Sequence, residues 1–366
     1  MAKQIGVGVI GLSPGRSWAA MVIVPGILAV PDFKLVACST TRMESATACA
    51  KQFNIPHAFD NHQALIAHPD VDLVVVSVKT PKHFELASAV LAAGKNLYCE
   101  WPLGNGLAEA EKLAEMARKK GVKAAVGLQG RAGRAVNYIR DLVAEGYVGK
   151  VLSTSVVTAG VVGGTVMPQA DSYTADIKNG ATMLTIGFGH SFDTILYALG
   201  KNVRELSATS ATQKDSLKIA ETGATTPMTA EDQVVVGGLL DDGIVFSAHY
   251  YGGMAHDPSV GFEWLIHGTT GSLRMTLPAA MIQIVDPTIH GTQAGGQAQV
   301  LPVPDKYTVI PGAEGGAQTM AHAFQRFAND IRNGTATAPT FDEAVVHHKV
   351  IDAIQKSAAS GQRQKL

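Results

Sequence analysis

His190 and Asp193 stand three residues apart in a helix-forming stretch, so an imidazole and a carboxylate share one face of that helix. Imidazole titrates near neutral pH, which suits it to general acid–base work. A carboxylate one turn further on can orient or charge-stabilise the ring. The competing reading is a buried structural histidine that fixes the helix to the glycine run before it. A second group lies at the N-terminus, where Val9-Ile10-Gly11-Leu12-Ser13-Pro14-Gly15-Arg16-Ser17-Trp18 reads as a strand, a tight turn and a helix start. Gly11 permits the turn, and Gly15 lets the backbone approach a pyrophosphate at the helix N-terminus. Leu12, Ser13 and Arg16 complete the loop and are expected to contact the same ligand. Its spacing departs from GxGxxG, so an ordinary glycine turn is the alternative.

At the end of the second strand an Asp or Glu would take a ribose 2′-hydroxyl. Here Ser39-Thr40-Thr41-Arg42 offers three hydroxyls and a guanidinium, which favours a 2′-phosphate and hence NADP over NAD. The plainer reading makes Arg42 a solvated loop residue and Ser39 or Thr41 a helix cap. Lys79 follows the apolar run Leu73–Val78, at a carboxyl end where open α/β sheets bind ligands. It is a candidate for the ribose or the substrate, against a solvated lysine. Val78 and His83, which flank it, join the expected cofactor contacts.

These residues need elements to hold them. Strand-like runs at 6–12, 34–39, 71–78, 96–100 and 122–128 alternate with helix-like segments at 18–30, 44–53, 83–93 and 108–120. Leu73–Val78 is almost continuously apolar and β-branched, as a strand buried on both faces must be. The alternation predicts a doubly wound parallel sheet over residues 1–129. Residues 130–366 predict an α+β domain with a largely antiparallel sheet. Its expected helices cover 133–145, 181–199, 319–332 and 342–360. Its strand candidates include Asp232–Leu240 and Ile244–Tyr250, and 286–318 reads as loop.

Bulk properties bound the function. The 366 residues are 46% hydrophobic and 17% charged with a net charge of −1, which argues for a cored globule and against a nucleic-acid or membrane surface. Three scattered cysteines give no disulfide framework. His347-His348 are adjacent rather than one turn apart, so no metal is expected. The chain runs from Met1 straight into a strand, without the pattern of a secretory signal, and the expected compartment is cytoplasmic.

The N-terminal loop, the strand ending in Glu100-Trp101-Pro102, Gln129-Gly130-Arg131 and the turn Glu145-Gly-Tyr-Val-Gly-Lys150 together resemble the glucose–fructose oxidoreductase / inositol dehydrogenase / rhizopine-catabolism oxidoreductase family. Within it, Glu100–Leu103, Leu128–Arg131 and Phe188-Gly189-His190 are most similar to the branch containing the yeast galactose-pathway repressor, a dinucleotide-binding regulator. The resemblance implies a Rossmann domain, a nicotinamide cofactor and a sugar, polyol or related substrate. It also implies a homodimer or homotetramer. Glu100 falls at the nicotinamide edge, Gln129 joins the cofactor contacts, and the bond before Pro102 is often cis.

Two family residues differ. The family's Glu-Lys-Pro lysine is Trp101 here, an indole that stacks on the nicotinamide or sugar or else fills volume between the domains. The family's Asp is Thr185, with one residue inserted before His190, an arrangement that commonly forms a π-bulge. Trp101, Tyr173, Thr185 and His190 are the expected substrate contacts. The leading expectation is an NAD(P)-dependent oxidoreductase with His190 as acid/base. The alternative is a non-catalytic dinucleotide sensor that binds a protein partner, and a third possibility is a lyase or hydrolase that uses bound NAD transiently.

Overall fold

The computed structural model describes residues 3–15, 17–160, 162–253, 261–278 and 282–366. The chain divides into two units, one of Met1–Ala132 with Thr308–Val346 and one of Gly133–Tyr307 with His347–Leu366. No helix among the described residues is long and apolar enough to cross a membrane.

The first unit is built on six strands: β1 (Ile5–Ile10), β2 (Phe33–Ser39), β3 (His57–Phe59), β4 (Leu73–Val76), β5 (Asn96–Glu100) and β6 (Ala124–Gly127). They lie in the order β3-β2-β1-β4-β5-β6, all parallel. The order reverses between β1 and β4, which opens a crevice at their carboxyl ends. The four residues of β4 have no exposed surface, which is why this strand is a continuous β-branched run. Helices Met43–Phe53, His83–Ala92 and Leu107–Lys120 connect the strands.

The late segment belongs to this sheet. Val126 N–H donates to Pro339 O at 2.9 Å beside β6. Helix Gly315–Asn333 adds Met320, Phe324 and Phe327 to the core of Val7, Val9 and Tyr98. Phe324 meets Tyr98 edge-on at 4.9 Å. Each such aromatic side chain, once buried, stabilises the unit by about 1.5–3 kcal/mol.

In the second unit nine strands form one sheet. Their spatial order is Gln299–Val300, Thr288–Gln293, Gly271–Leu277, Phe262–Gly268, Val151–Gly160, Val245–Gly252, Gln233–Leu240, Val203–Ala211 and Gln364–Lys365. Val151–Gly160 runs parallel to Val245–Gly252, and every other pairing is antiparallel. The expectation of loop over 286–318 is corrected here. Thr288–Gln293 pairs along six positions with Gly271–Leu277, and main-chain pairing forms the strand although its sequence lacks apolar alternation.

A short three-stranded sheet of Val166–Met167, Ser216–Ile219 and Thr225–Pro227 stands apart, with Met167, Ala175, Leu217 and Ile219 as its own core. On the large sheet, Phe188 stacks on Phe192 at 4.7 Å and meets Tyr250 edge-on at 5.0 Å. These rings anchor the helix that carries His190.

Candidate active site

The first unit gathers its candidates at the carboxyl ends of β1, β4 and β5. Gly11 has φ +94°, and a Cβ there would lie 2.2 Å from Ser77 O and 2.6 Å from Val78 Cγ1. Only glycine fits where the end of β1 crosses the end of β4. Gly15 also has positive φ, +85°, but a Cβ there would meet nothing within 4 Å. A side chain at Gly15 would thus meet only backbone strain, whereas one at Gly11 would also clash. Arg16, the expected neighbour in the loop, lies outside the described residues.

Around these glycines the loop is held by its own contacts. The Cys49 thiol donates to Leu12 O, and Leu12 is fully buried. Ser17 Oγ donates to Ser13 O at 2.8 Å and accepts the Ala20 N–H, which caps the following helix. That helix begins as a π-turn, Ala19–Ile23, and continues as an α-turn, Val24–Ala29.

Ser39 is buried, and its carbonyl accepts the Gly11 N–H at 3.0 Å. Its backbone therefore sets the turn. Thr40, rather than Ser39 or Thr41, braces the start of the next helix: its hydroxyl accepts the Arg42 N–H and lies 2.6 Å from Ser45 Oγ. Arg42 is exposed at the N-cap of Met43–Phe53. Lys79 is exposed after β4 and precedes the 3-10 turn Thr80–Lys82.

His83 is 1% exposed, with Nδ1 at 2.6 Å from Pro102 O and Nε2 at 2.9 Å from Val78 O. Both nitrogens are thus engaged by backbone. The ring clamps the segment after β4 to the segment after β5 and shapes the crevice. The Trp101-Pro102 bond is cis. Trp101 is buried, as is Glu100, whose Oε2 accepts the Trp18 indole N–H at 3.0 Å. Burial pushes the Glu100 carboxyl up to about 8, against a smaller lowering by that hydrogen bond.

Three buried polar atoms in this region, Glu100 Oε1 and both amide atoms of Gln129, have no partner among the described residues. Buried polar atoms are ordinarily satisfied, so these fit a bound group rich in donors and acceptors. Together with the open Gly15 turn, they match the needs of a dinucleotide: a phosphate cradle and polar atoms at the strand ends.

In the second unit, residues Met183–Phe188 form a π-helix that passes into the α-helix Gly189–Leu199. The inserted residue before His190 is accommodated in that wider turn. Thr182 caps it. Thr185 Oγ1 accepts the Thr182 N–H at 2.7 Å while Thr182 Oγ1 accepts the Thr185 N–H, so Thr185 serves its own helix start. The Thr182 hydroxyl also donates to Glu231 Oε1, which accepts the Leu184 N–H at 3.2 Å. Glu231 is buried and its carboxyl is raised by that burial. Sequence reasoning missed it, because a lone acid 49 residues from its partner carries no local pattern.

His190 is 9% exposed, and its Nδ1 has no partner among the described residues. Burial pushes the imidazole down to about 4, the Asp193 carboxylate opposes this, and His347 adds to it. A ring titrating near neutrality was expected. Desolvation of the charged form moves it. His347 donates from Nε2 to Gly189 O at 2.7 Å and so fixes the carbonyl just before His190. Asp193 is buried on the same helix. Tyr173 stands on the 3-10 turn Ser172–Ala175, its hydroxyl raised to about 12 by burial and by Asp171.

Comparison with known proteins bears on both units. Residues 5–128 match the profile described as "Oxidoreductase family, NAD-binding Rossmann fold", and residues 135–276 match "Gal80p, C-terminal domain". Dehydrogenase aclE of Aspergillus oryzae is 31% identical, covering 99% of this chain and 98% of that protein. Among solved structures, a super-repressor mutant of Gal80p from Saccharomyces cerevisiae superposes with a TM-score of 0.89 at 21% identity, covering 99% of this chain and 98% of that one. Levoglucosan dehydrogenase, solved in complex with NADH and levoglucosan, gives 0.85 at 20% identity with 99% of each chain covered. The chain therefore belongs to the glucose–fructose oxidoreductase / inositol dehydrogenase / rhizopine-catabolism oxidoreductase family, with a C-terminal domain of the Gal80p type.

Proposed function

We propose that this chain is a nicotinamide-dependent oxidoreductase acting on a sugar, polyol or related hydroxy compound, with His190 as the acid/base. The observation that carries the reading is the state of His190: a buried, neutral imidazole whose Nδ1 has no partner among the described residues, with a buried carboxylate three residues on. A neutral ring can accept a proton, and the Asp193 charge grows in value as the imidazolium forms. When bound, the nicotinamide supplies the hydride acceptor. Its binding falls to the Gly11–Gly15 loop, Glu100 and Gln129, with Arg42 favouring NADP over NAD. Lys79, Trp101 and Tyr173 are assigned to substrate or ribose contact. The names of aclE and levoglucosan dehydrogenase support a dehydrogenase and a carbohydrate-like substrate.

A second reading, a dinucleotide-dependent regulator that binds a protein, is favoured by specific observations. Trp101 stands in place of the family lysine. Thr185 stands in place of the acid and spends its hydroxyl on a helix cap. The Gal80p-type C-terminal domain points the same way. A nicotinamide fluorescence titration followed by a turnover screen over sugars and polyols, with each cofactor, separates the two. Reduction of the cofactor that vanishes in His190→Ala supports the enzyme. Tight binding with no reduction across a broad panel sinks it in favour of the regulator.

A further inference from the structure

The strand β3 is the free edge of the six-stranded sheet, paired with β2 at Ala37–His57, Cys38–Ala58 and Ser39–Phe59. Its first residue, His57, faces the turn that leads into β4. There His68 ends helix His62–Ala67, and Asp70 follows two residues later. One ligand atom from each of His57, His68 and Asp70 lies within 4.8 Å of the others. The two imidazole rings are 4.2 Å apart at their centroids and tilted by 38°, with Phe59 packed beside both.

This arrangement is built by its surroundings. Asn61 caps the helix by accepting the Ala64 N–H at 2.8 Å, and the Val71 N–H donates to His68 O at 3.2 Å, so the position of His68 is set at both ends. The Asp70 carbonyl presses so closely on β1 that a Cβ at Gly6 would lie 1.8 Å from it. The Asp70 N–H donates a long hydrogen bond to His68 Nδ1 at 3.3 Å, so a cation bound at that nitrogen would displace a weak contact. Lys95 lies nearby, its ammonium held by Val71 O at 2.6 Å and His68 O at 3.4 Å. Its charge opposes a cation, and the Asp70 carboxylate is the group that offsets it.

We propose that His57, His68 and Asp70 form a divalent transition-metal site, for zinc or a chemically similar borderline ion, that staples edge strand β3 to the turn before β4. Two imidazoles and one carboxylate are three protein ligands, which leaves a fourth tetrahedral position to water. Imidazole ligands select zinc, copper or nickel over calcium and magnesium, which take oxygen ligands. All three residues are partly or fully exposed, so the ion has a path in. No helical i, i+4 spacing links the three ligands. They come from a strand, a helix end and a turn, which is why the sequence pattern predicted no metal.

The test uses tag-free, chelator-stripped full-length chain titrated with Co2+, followed by its visible d–d absorption, and then challenged with Zn2+. The expected result is a saturable band at about one equivalent that zinc displaces. His57→Phe keeps an aromatic ring against Phe59 and His68 but removes a ligand; Asp70→Asn removes the charge at an exposed position. Each is expected to weaken cobalt binding by at least the roughly 10–100-fold that even outer-shell changes cost. Both are expected to leave the metal-free circular dichroism and melting unchanged. Absence of a saturable band, or equal binding by wild type and both variants, overturns the proposal and leaves an aromatic stack. If one variant fails to fold, the other still decides.

Discussion

Trp18 donates its indole N–H to one oxygen of Glu100 at 3.0 Å, while the other oxygen of the same carboxyl is buried with no partner among the described residues. The half-satisfied carboxyl is thus held protonated at neutral pH, at about 8, by desolvation.

Glu100→Gln is expected to stabilise the first unit at pH 8 and to change little at pH 5. The folded carboxyl titrates above its unfolded value, so the folded state binds the extra proton between about 4.5 and 8, and stability falls as pH rises through that window. A glutamine keeps the carbonyl that accepts from Trp18 and carries no charge to desolvate. At about 1.4 kcal/mol per pH unit the gain is a few kcal/mol at pH 8. Melting temperatures of the two proteins at both pH values measure it. A gain of the same size at pH 5 would contradict the assignment.

His190→Ala is expected to lower kcat for alcohol oxidation by about 10²–10⁴-fold, with a smaller effect on cofactor affinity. In wild type the ring must be neutral to accept a proton, and its folded value is depressed. Activity is therefore expected to hold from neutral pH down to about 5 and to fall as the ring protonates near 4. A pH–rate profile with its acid limb at 6–7 would assign that limb to another group.

The same burial has a stability cost in acid. His190 and His348 are held down to about 4 and about 3, below the unfolded value of 6.5. The unfolded chain then binds more protons below pH 6.5, so stability is expected to drop progressively from pH 6.5 towards about 3, the His190 share being complete near 4. Replacing His348 by Gln should flatten that slope in a denaturant titration series, and an unchanged slope would exclude His348 as a source.

Gly11→Ala and Gly15→Ala separate fold from ligand. An alanine at 11 strains the backbone and drives its Cβ into Ser77 O, so a loss of stability of about 1–3 kcal/mol or more is expected before any effect on binding. At 15 the Cβ projects into open space, so the stability loss is confined to the backbone strain, about 1 kcal/mol. There the expected effect is on dinucleotide affinity, read by fluorescence titration alongside a denaturation curve. Equal profiles for the two variants would remove the phosphate role of Gly15.

How much of this was legible depended on how local the cause was. β4 could be read from the run Leu73–Val78, of which Leu73–Val76 forms the strand, because full burial leaves no reason for polar residues. The π-turn before His190 was legible as one residue too many. β3 and helix His62–Ala67 escaped notice, being three and six residues long and without a strong period. Glu231 could not be found at all, since its role exists only once the fold carries it to the N-terminus of Met183–Phe188. The depressed value of His190 was hidden for the same reason: desolvation belongs to the packed state.

The contribution of Met320, Phe324 and Phe327 to the core of Val7, Val9 and Tyr98 has a consequence for biosynthesis. A ribosome completes residues 1–132 long before helix Gly315–Asn333 emerges. At about 5–20 residues per second that interval is roughly 10–40 s. During it the nascent sheet shows an uncovered apolar face, which makes this chain a natural client for chaperones that shield half-made domains. A nucleotide-binding fragment cut at residue 132 is accordingly expected to aggregate rather than fold.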